Sequence, residues 1–547
     1  MNQGSPVRKA ASRADVSIAL LLLGITVLVL VVSAPRIGVT WDEPTYMVAS
    51  EAYAAWFGEL FTEPGQALSE ESVTAYWEVQ PEHPPFGKVW AGLVWSGARY
   101  VFDDLIARRL GNTLLAGTLV ALLYLMVAPE FGRTAGLAGA AALLTMPRFF
   151  FHAHLIALDV PVALMIFAVT YVFWAGRDDP GLRWTILLGL VWGLGLATKI
   201  NALFIPPVVL FVWTVVFRPR RYLFARLGLM GLIGTLVFFL SWPWLYHQSF
   251  SRLITYLGFL TVDRYPTEQY YFGNLYAAPY TPLPWHYAFV MTAVVVPAAL
   301  MLLATAGTLL TIRGREHRPL VSLFLLGALA SLLVLTSRWG QPFDNERLLM
   351  PAFPYVAALA GIGFGAIVPV VQRWARNKQI NLQKTSLVTL LAILTFGPHV
   401  LLAYDLYPHL LSYYSEAIGG AYGGRVLGLE TTYWCESYAQ TLSYLNTYAS
   451  PEAVIWAECQ DVLIYYQRRS KLRPDLQIAN GPHATSAFPG FSLNPATFAE
   501  ADYAVIQQRQ SGHYRAIREW MHAREPVYEY GYRRLRLAEV FKQDGLR

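Results

Sequence analysis

Apolar stretches of near membrane-crossing length recur along this chain, and that feature does most to limit what it can fold into. Crossing about 30 Å of hydrocarbon takes roughly 20 helical residues. Runs of this kind fall at about 16–34, 110–128, 134–147, 160–176, 184–200, 202–217, 227–245, 286–311, 319–336, 348–371 and 385–403. Charged residues make up 14% of the 547 positions, against about a quarter in soluble domains, so too few remain to solvate a soluble surface. Composition also excludes disordered, collagen-like, coiled-coil and disulfide-framework classes. The chain reads as an α-helical polytopic membrane protein with about 11 transmembrane helices.

Charge sets the expected direction. Arg8, Lys9 and Arg13 precede the first stretch, whose apolar core is too long for a typical signal-peptide h-region, so it reads as a retained anchor. The segment 86–102 is also apolar, but it carries Lys88 and Arg99 and is bracketed by Pro84, Pro85, Asp103 and Asp104. If it lies along the surface as an amphipathic segment, every short basic connection falls on the inner side, as the positive-inside rule requires. Those inner segments (1–15, 129–133, 176–184, 218–228, 312–319 and 372–384) hold 17 Lys/Arg and 5 Asp/Glu, a net of +12, while the rest of the chain carries −6. The overall +6 therefore records orientation and gives no reason to expect a nucleic-acid partner. The reading is a transmembrane unit at 1–403 with a large first outer loop at 35–109, and a second outer connection at 246–285. A small extracytoplasmic α/β C-terminal domain follows at 404–547.

That tail has short apolar runs at Ala453–Ala457, Val462–Tyr466 and Tyr503–Ile506, expected as strands, and helix-like stretches at about 437–449 and 512–523. It holds both cysteines, Cys435 and Cys459. An oxidising exterior permits a bridge, and two buried thiols fit the sequence equally well. No internal repeat or low-complexity stretch occurs.

Residues capable of chemistry gather at the ends of the apolar runs. The first outer loop opens with Thr40-Trp41-Asp42-Glu43-Pro44. Paired carboxylates at an interface suit a general base or a cation site, and Asp42 before Glu43-Pro44 equally fits a helix N-cap. Further on, Glu82-His83-Pro84-Pro85-Phe86-Gly87-Lys88 offers His83 as a metal ligand or polar anchor, and Lys88 as a phosphate partner or a snorkelling lysine. The connection at 147–161 contains His152, His154 and Asp159. A carboxylate entering an apolar span is costly and usually functional, whereas a lone His-x-His is weak support for metal. Arg338, Asp344, Glu346 and Arg347 crowd a later outer loop, where an arginine suits a phosphate fork and, almost as well, a lipid headgroup contact.

Taken together, Asp-Glu after the first span, His-Pro-Pro-x-Gly-Lys before a short helix and His-x-x-x-x-Asp-x-Pro entering a later span resemble the GT-C membrane glycosyltransferases. The likeness is to the protein O-mannosyltransferase and aminoarabinose-transferase-like superfamily, and it runs over about 16–245. The stretch Gly195–Asn201 shares it, and Tyr407–Tyr414 with Gly419-Gly420 shares it more loosely. The resemblance implies transfer of a sugar from a polyprenyl-phosphate donor to a hydroxyl on protein, lipid or polysaccharide, at the outer face of the cytoplasmic membrane. It implies Asp42 as the base, Lys88 as the contact to the lipid phosphate, and Asp159 as a second acid, placed near the acceptor or helping to hold the site together. Glu43 and His83 match motif positions of varying role, and His154 opens the third motif. Arg347 is a second candidate for stabilising phosphate. A divalent cation serves some members and not others, so the resemblance leaves metal open.

Two other classes fit less well. A secondary transporter places ionisable groups at mid-membrane depth and often shows inverted repeats, neither of which is evident. A receptor or scaffold gives no reason for Asp42, Lys88 and Asp159 to occur together. A non-glycosyl transferase using polyprenyl phosphate is the nearest alternative. The aromatic residues Tyr413, Tyr414, Tyr433 and Trp434 suit sugar stacking or, more simply, core packing. The loop at 246–285, with Tyr265, Tyr270, Tyr271 and Trp285, suits a cover for the donor or, equally, a fixed and packed loop.

Overall fold

The structure is a computed structural model that describes residues 11–261, 268–277, 280–314, 316–336, 344–380, 383–481, 485–512 and 515–543. Arg338 and Tyr265, singled out above, lie outside these. Every one of the apolar runs is helical. Six helices are long and apolar enough to cross a membrane: Arg13–Arg36, Asp104–Phe131, Asp159–Gly176, Arg221–Leu240, Arg347–Asn377 and Lys384–Leu406. The others are shorter, at Arg133–Thr145, Leu182–Leu196, Asn201–Phe217 and Arg318–Leu333.

The run at 286–311, expected as one span, is two helices, Tyr287–Val295 and Ala298–Thr311, bent by 114°. Pro297 explains the break. It lacks an N–H and disfavours helical backbone at the residue before it, and Val296 is extended, with φ −86° and ψ 135°. Length alone therefore supports six crossings, or seven with the bent pair, among the described residues.

Much of the segment 35–109 is helical, at Glu43–Thr62, Glu70–Trp77 and Phe86–Ala98. The last of these has 13 residues, about 20 Å, which is too short to span. It packs closely under Glu43–Thr62. A Cβ at Gly92 would lie 2.1 Å from the Ser50 carbonyl oxygen, so only glycine allows that approach. The connection at 246–285 contains helix Ser249–Thr261 and a hairpin of strands β1 (Glu268–Tyr271) and β2 (Asn274–Ala277).

The tail carries a mixed sheet of β3 (Val454–Ala457), β4 (Gln477–Ile478), β5 (Tyr503–Gln507), β6 (Tyr528–Tyr532) and β7 (Leu535–Lys542), in the order β4-β3-β5-β7-β6. The pairings β3/β4 and β3/β5 are parallel, and those of β7 are antiparallel. Two of the three expected strands form. The third, Val462–Tyr466, is instead inside helix Gln460–Arg468, because a short, wholly apolar run has no period that separates a buried strand from a buried helix. The stretch expected at 437–449 is a tight turn at Glu436–Gln440 followed by helix Leu442–Tyr448, and the later one is Arg515–His522.

The tail does not stand apart from the connections at 35–109 and 147–158. Val39, Tyr46, Met47, Leu105, Ile156 and Leu158 form one apolar cluster with Tyr438, Leu442, Val462, Leu463 and Tyr466. The Val39 N–H donates to the Tyr466 hydroxyl at 2.9 Å, and a Cβ at Gly38 would fall 2.0 Å from the Glu436 carbonyl oxygen. Cys435 and Cys459 are joined as a disulfide, tying the segment that meets the stretch 38–41 to the one that follows β3.

Candidate active site

Three breaks in helical structure bring the acids and the arginine together. The first span ends at Ser33 and the chain turns through Ala34–Arg36 before a new helix opens at Glu43 with Pro44 in its first turn. Asp42 stands at the N-cap position, yet its side chain makes no capping bond, so the carboxylate remains available for other partners. Asp159 is the first residue of its span. Arg347 begins a tight turn leading into helix Phe353–Asn377. It is preceded by Asp344 and Asn345, both at φ 53°. Two consecutive left-handed non-glycine residues are uncommon, and asparagine and aspartate tolerate that conformation best.

Arg347 is the hub. Its Nη2 donates to Asp42 Oδ2 at 2.5 Å, Nε to Asp159 Oδ2 at 3.0 Å and Nη1 to Asp344 Oδ2 at 2.9 Å. Its guanidinium carbon lies 4.6 Å from the Trp434 ring centroid. Lys199 Nζ donates to the other oxygen of Asp159 at 2.6 Å. Arg509 Nη2 and Trp434 Nε1 donate to Asp344, at 2.8 and 3.2 Å. The acids differ in access. The Asp159 side chain is 2% exposed and that of Asp344 9%, whereas Asp42 keeps 26%. Burial pushes the Asp42 carboxyl above the ordinary aspartate value, and the neighbouring Arg347 charge opposes that rise. Of the three, Asp42 is the acid that an incoming molecule can reach.

Glu43 faces elsewhere. It is fully buried in a two-pronged pair with Arg109, at 2.8 and 2.6 Å, and also accepts from the Thr40 and Ile156 backbone N–H groups at 2.9 and 3.2 Å. Lys88 is buried, and its ammonium donates to the Gln80 carbonyl at 2.9 Å, to Gln80 Oε1 and to the His83 carbonyl at 2.7 Å. All three donors of the ammonium are thus engaged by one turn. Burial pushes its pKa well below the usual lysine range. The His83 imidazole lies beside Tyr46, ring centroids 6.4 Å apart. Burial, together with the charges of Lys199, Lys88 and Arg347, lowers its pKa well below the usual histidine value. His154 is apart from the cluster: its ring nitrogens meet Ser33 Oγ at 2.8 Å and the Phe150 carbonyl at 2.7 Å.

The donor set around Arg347 does not suit a cation, because a guanidinium occupies the point where the three carboxylates converge. Among the described residues no group of three His, Cys, Asp or Glu side chains is placed to hold a metal, and His83 and His154 do not converge.

Several partners carry little signal in the sequence. Lys199 stands there only as part of a family-like stretch, although a lone acid at the start of one apolar run calls for a lone cation at the end of another. Arg109 and Arg509 have no local signal. Tyr413, Tyr414, Tyr433 and Trp434 are all buried, and Trp434 lies against the Arg347 guanidinium. From β1, Gln269 reaches the site: it accepts from the Asn345 N–H at 3.1 Å and donates to Asn345 Oδ1 at 3.2 Å.

The bundle of apolar helices, with its ionic cluster at helix ends and its α/β tail, is similar in fold to a membrane protein of known structure. Residues 82–247 match the family model described as dolichyl-phosphate-mannose-protein mannosyltransferase. The crystal structure of ArnT from Cupriavidus metallidurans in the apo state aligns at TM-score 0.54 and 16% identity, over 96% of this chain and 98% of that one. The same protein bound to undecaprenyl phosphate aligns at TM-score 0.53 over the same shares, again at 16% identity. No curated protein matches the chain in sequence.

Proposed function

We propose that the chain transfers a sugar from a polyprenyl-phosphate donor to a hydroxyl group on protein, lipid or polysaccharide, at the outer face of the cytoplasmic membrane and with inversion. The observation that carries this reading is the pairing of the accessible Asp42 carboxylate with the Arg347 guanidinium. A glycosyl phosphate needs two things to react: a base for the attacking hydroxyl and positive charge for the departing phosphate. The same protein fold seen with undecaprenyl phosphate in ArnT supports a polyprenyl-linked donor, and the tail disulfide supports an oxidising side for this face.

In the reaction the acceptor oxygen forms a bond to the anomeric carbon while the bond from that carbon to the phosphate oxygen breaks. The hydroxyl proton passes to Asp42, and the polyprenyl phosphate leaves with the bonding electron pair. One displacement inverts the anomeric centre without a covalent intermediate. The donor phosphate takes over the Arg347 donor that Asp42 holds, which frees the carboxylate to act as base. Lys88 adds charge once the Gln80 side chain yields its place, and a phosphate beside it restores the lysine toward its charged form. Asp159 and Lys199 fix Arg347 from the span side. Glu43 and Arg109 hold the backbone that presents Asp42.

The test is product analysis by mass spectrometry, using membranes supplied with a panel of polyprenyl-phosphate sugars and hydroxyl acceptors. A sugar-linked product is expected with one donor. Asp42→Asn is expected to lose transfer by about 100-fold or more while retaining donor binding, as removal of a general base does. Turnover retained in that variant would remove Asp42 as the base.

A further inference from the structure

The tail reaches into the site through two residues that the transfer reaction itself does not need. Asp344 Oδ1 accepts from Arg509 Nη2 at 2.8 Å, and Asp344 Oδ2 accepts from both Trp434 Nε1 at 3.2 Å and Arg347 Nη1 at 2.9 Å. Arg509 is itself fixed. Its Nη1 donates to the Tyr433 carbonyl and its Nε to Ser511 Oγ, both at 3.1 Å. Its guanidinium carbon lies 5.8 Å from the ring centroid of Trp41, the residue before Asp42. The Trp41 N–H donates to the Trp434 carbonyl at 2.9 Å, so the same tail segment touches both the stretch that bears Asp42 and the arginine.

Charge balance gives this arrangement its meaning. Within the bonded cluster three carboxylates, of Asp42, Asp159 and Asp344, face three cations, Arg347, Lys199 and Arg509. Arg509 also faces Glu430 and Glu458, whose carboxyls burial pushes up to about 7 and 8, which reduces the negative charge they add. Without Arg509, two cations would serve three acids at a site that has to accept an anionic phosphate. Asp344 would then hold Arg347 more tightly, and the hub would have less positive potential for a ligand. The left-handed pair Asp344-Asn345 would also be held by one partner fewer, and such backbone persists only where its surroundings hold it.

We infer that Arg509, assisted by Trp434, is a positioning residue of the C-terminal tail. It neutralises Asp344 and so sets the guanidinium of Arg347 to receive the donor phosphate. This rests on the proposed glycosyl transfer. It gives the tail a part in donor recognition rather than in acceptor choice alone.

The test is a double-variant cycle on the full chain in nanodiscs, read by the affinity for a polyprenyl phosphate that lacks a sugar, with KM and kcat for the sugar-loaded donor alongside. Arg509→Gln is expected to weaken phosphate binding by about 10-fold, the scale on which removing one charged side chain acts at a binding site, and to raise donor KM more than it lowers kcat. Adding Asp344→Asn removes the unbalanced acid, and affinity is expected to return to within about 3-fold of the parent. Arg509→Lys is expected to retain most of the affinity, since it keeps the charge. Unchanged affinity in Arg509→Gln would overturn the inference. So would a double variant as impaired as Arg509→Gln, since that is the result of a purely structural arginine. A parent protein that binds no polyprenyl phosphate would instead overturn the functional reading itself, which separates the two failures.

Discussion

Asp42 and Glu43 are adjacent acids in opposite surroundings, and the difference predicts opposite consequences of neutralising them. Glu43 shares a fully buried pair with Arg109, and removing one member of such a pair leaves a buried charge without its partner. Glu43→Gln is expected to cost about 3–5 kcal/mol of stability, read as a lowered unfolding midpoint in detergent. Asp42→Asn gives up a partly exposed carboxylate whose partner keeps Asp159 and Asp344, so its stability should stay within about 1 kcal/mol of the parent while transfer fails. A second expectation concerns pH. A base must be ionised to accept a proton, and burial raises the Asp42 pKa above the ordinary value of 3.8. The rate at low donor concentration should therefore climb with pH through a midpoint above 3.8, and an acid limb at or below that value would detach Asp42 from the proton transfer. Sequence alone made these acids legible because charge at the end of an apolar run is costly and needs a reason. It did not give their division of labour, which depends on Arg109 and Arg347, far away in sequence and brought close only by the fold.

At the scale of elements, the turn at 344–347 is held from three sides. The β1 strand pairs Gln269 with Asn345. The connection before Asp159 supplies Arg148, which bonds Glu346 while its Nε donates to the Tyr413 carbonyl at 2.8 Å. The tail adds the Tyr433 hydroxyl on Glu346 at 3.0 Å and Arg509 on Asp344. Displacing the tail should therefore loosen Arg347 without touching it. Gly38→Ala is the probe, because its Cβ would lie 2.0 Å from the Glu436 carbonyl oxygen and backbone has to move. The variant is expected to lose about 1–3 kcal/mol of stability, to show faster proteolysis after residue 404 and to bind donor more weakly. Gly24→Ala, where nothing lies within 4 Å of the added atom, is the matched control. Intact donor binding in a Gly38→Ala protein with a loosened tail would separate the tail from the site. The apolar runs made the helices legible, since hydrocarbon length and helical pitch fix them. Tail docking was not legible, because it depends on a close glycine approach, a shared apolar cluster and long-range ion pairs that leave no periodic trace.

For the whole molecule, the ion pairs bear on how the chain threads the membrane. Asp42, Asp159 and Arg347 meet at one cluster, so all three lie at the same face. From Asp159 to Arg347 the chain runs through Asp159–Gly176, Leu182–Leu196, Asn201–Phe217, Arg221–Leu240, the bent pair at 287–311 and Arg318–Leu333. With each straight helix crossing once, returning to the starting face requires that the bent pair cross as well, despite its 114° angle. The same reasoning takes the short Arg133–Thr145 across, since Asp42 and Asp159 flank an excursion of two helices. If each of these helices crosses, the count is the eleven expected from the sequence, where helix length alone supports six or seven, and Gly314, within the basic connection at 312–319, is expected on the face opposite the site. A re-entrant pair would instead bring Gly314 to the same face as Asp42. The protein has two cysteines and both are in the disulfide, so a single introduced thiol reports cleanly. Gly314→Cys is expected to resist a membrane-impermeant maleimide in intact cells and to react after permeabilisation. Labelling in intact cells would make the pair re-entrant and break the agreement between the charge asymmetry of the loops and the geometry of the site.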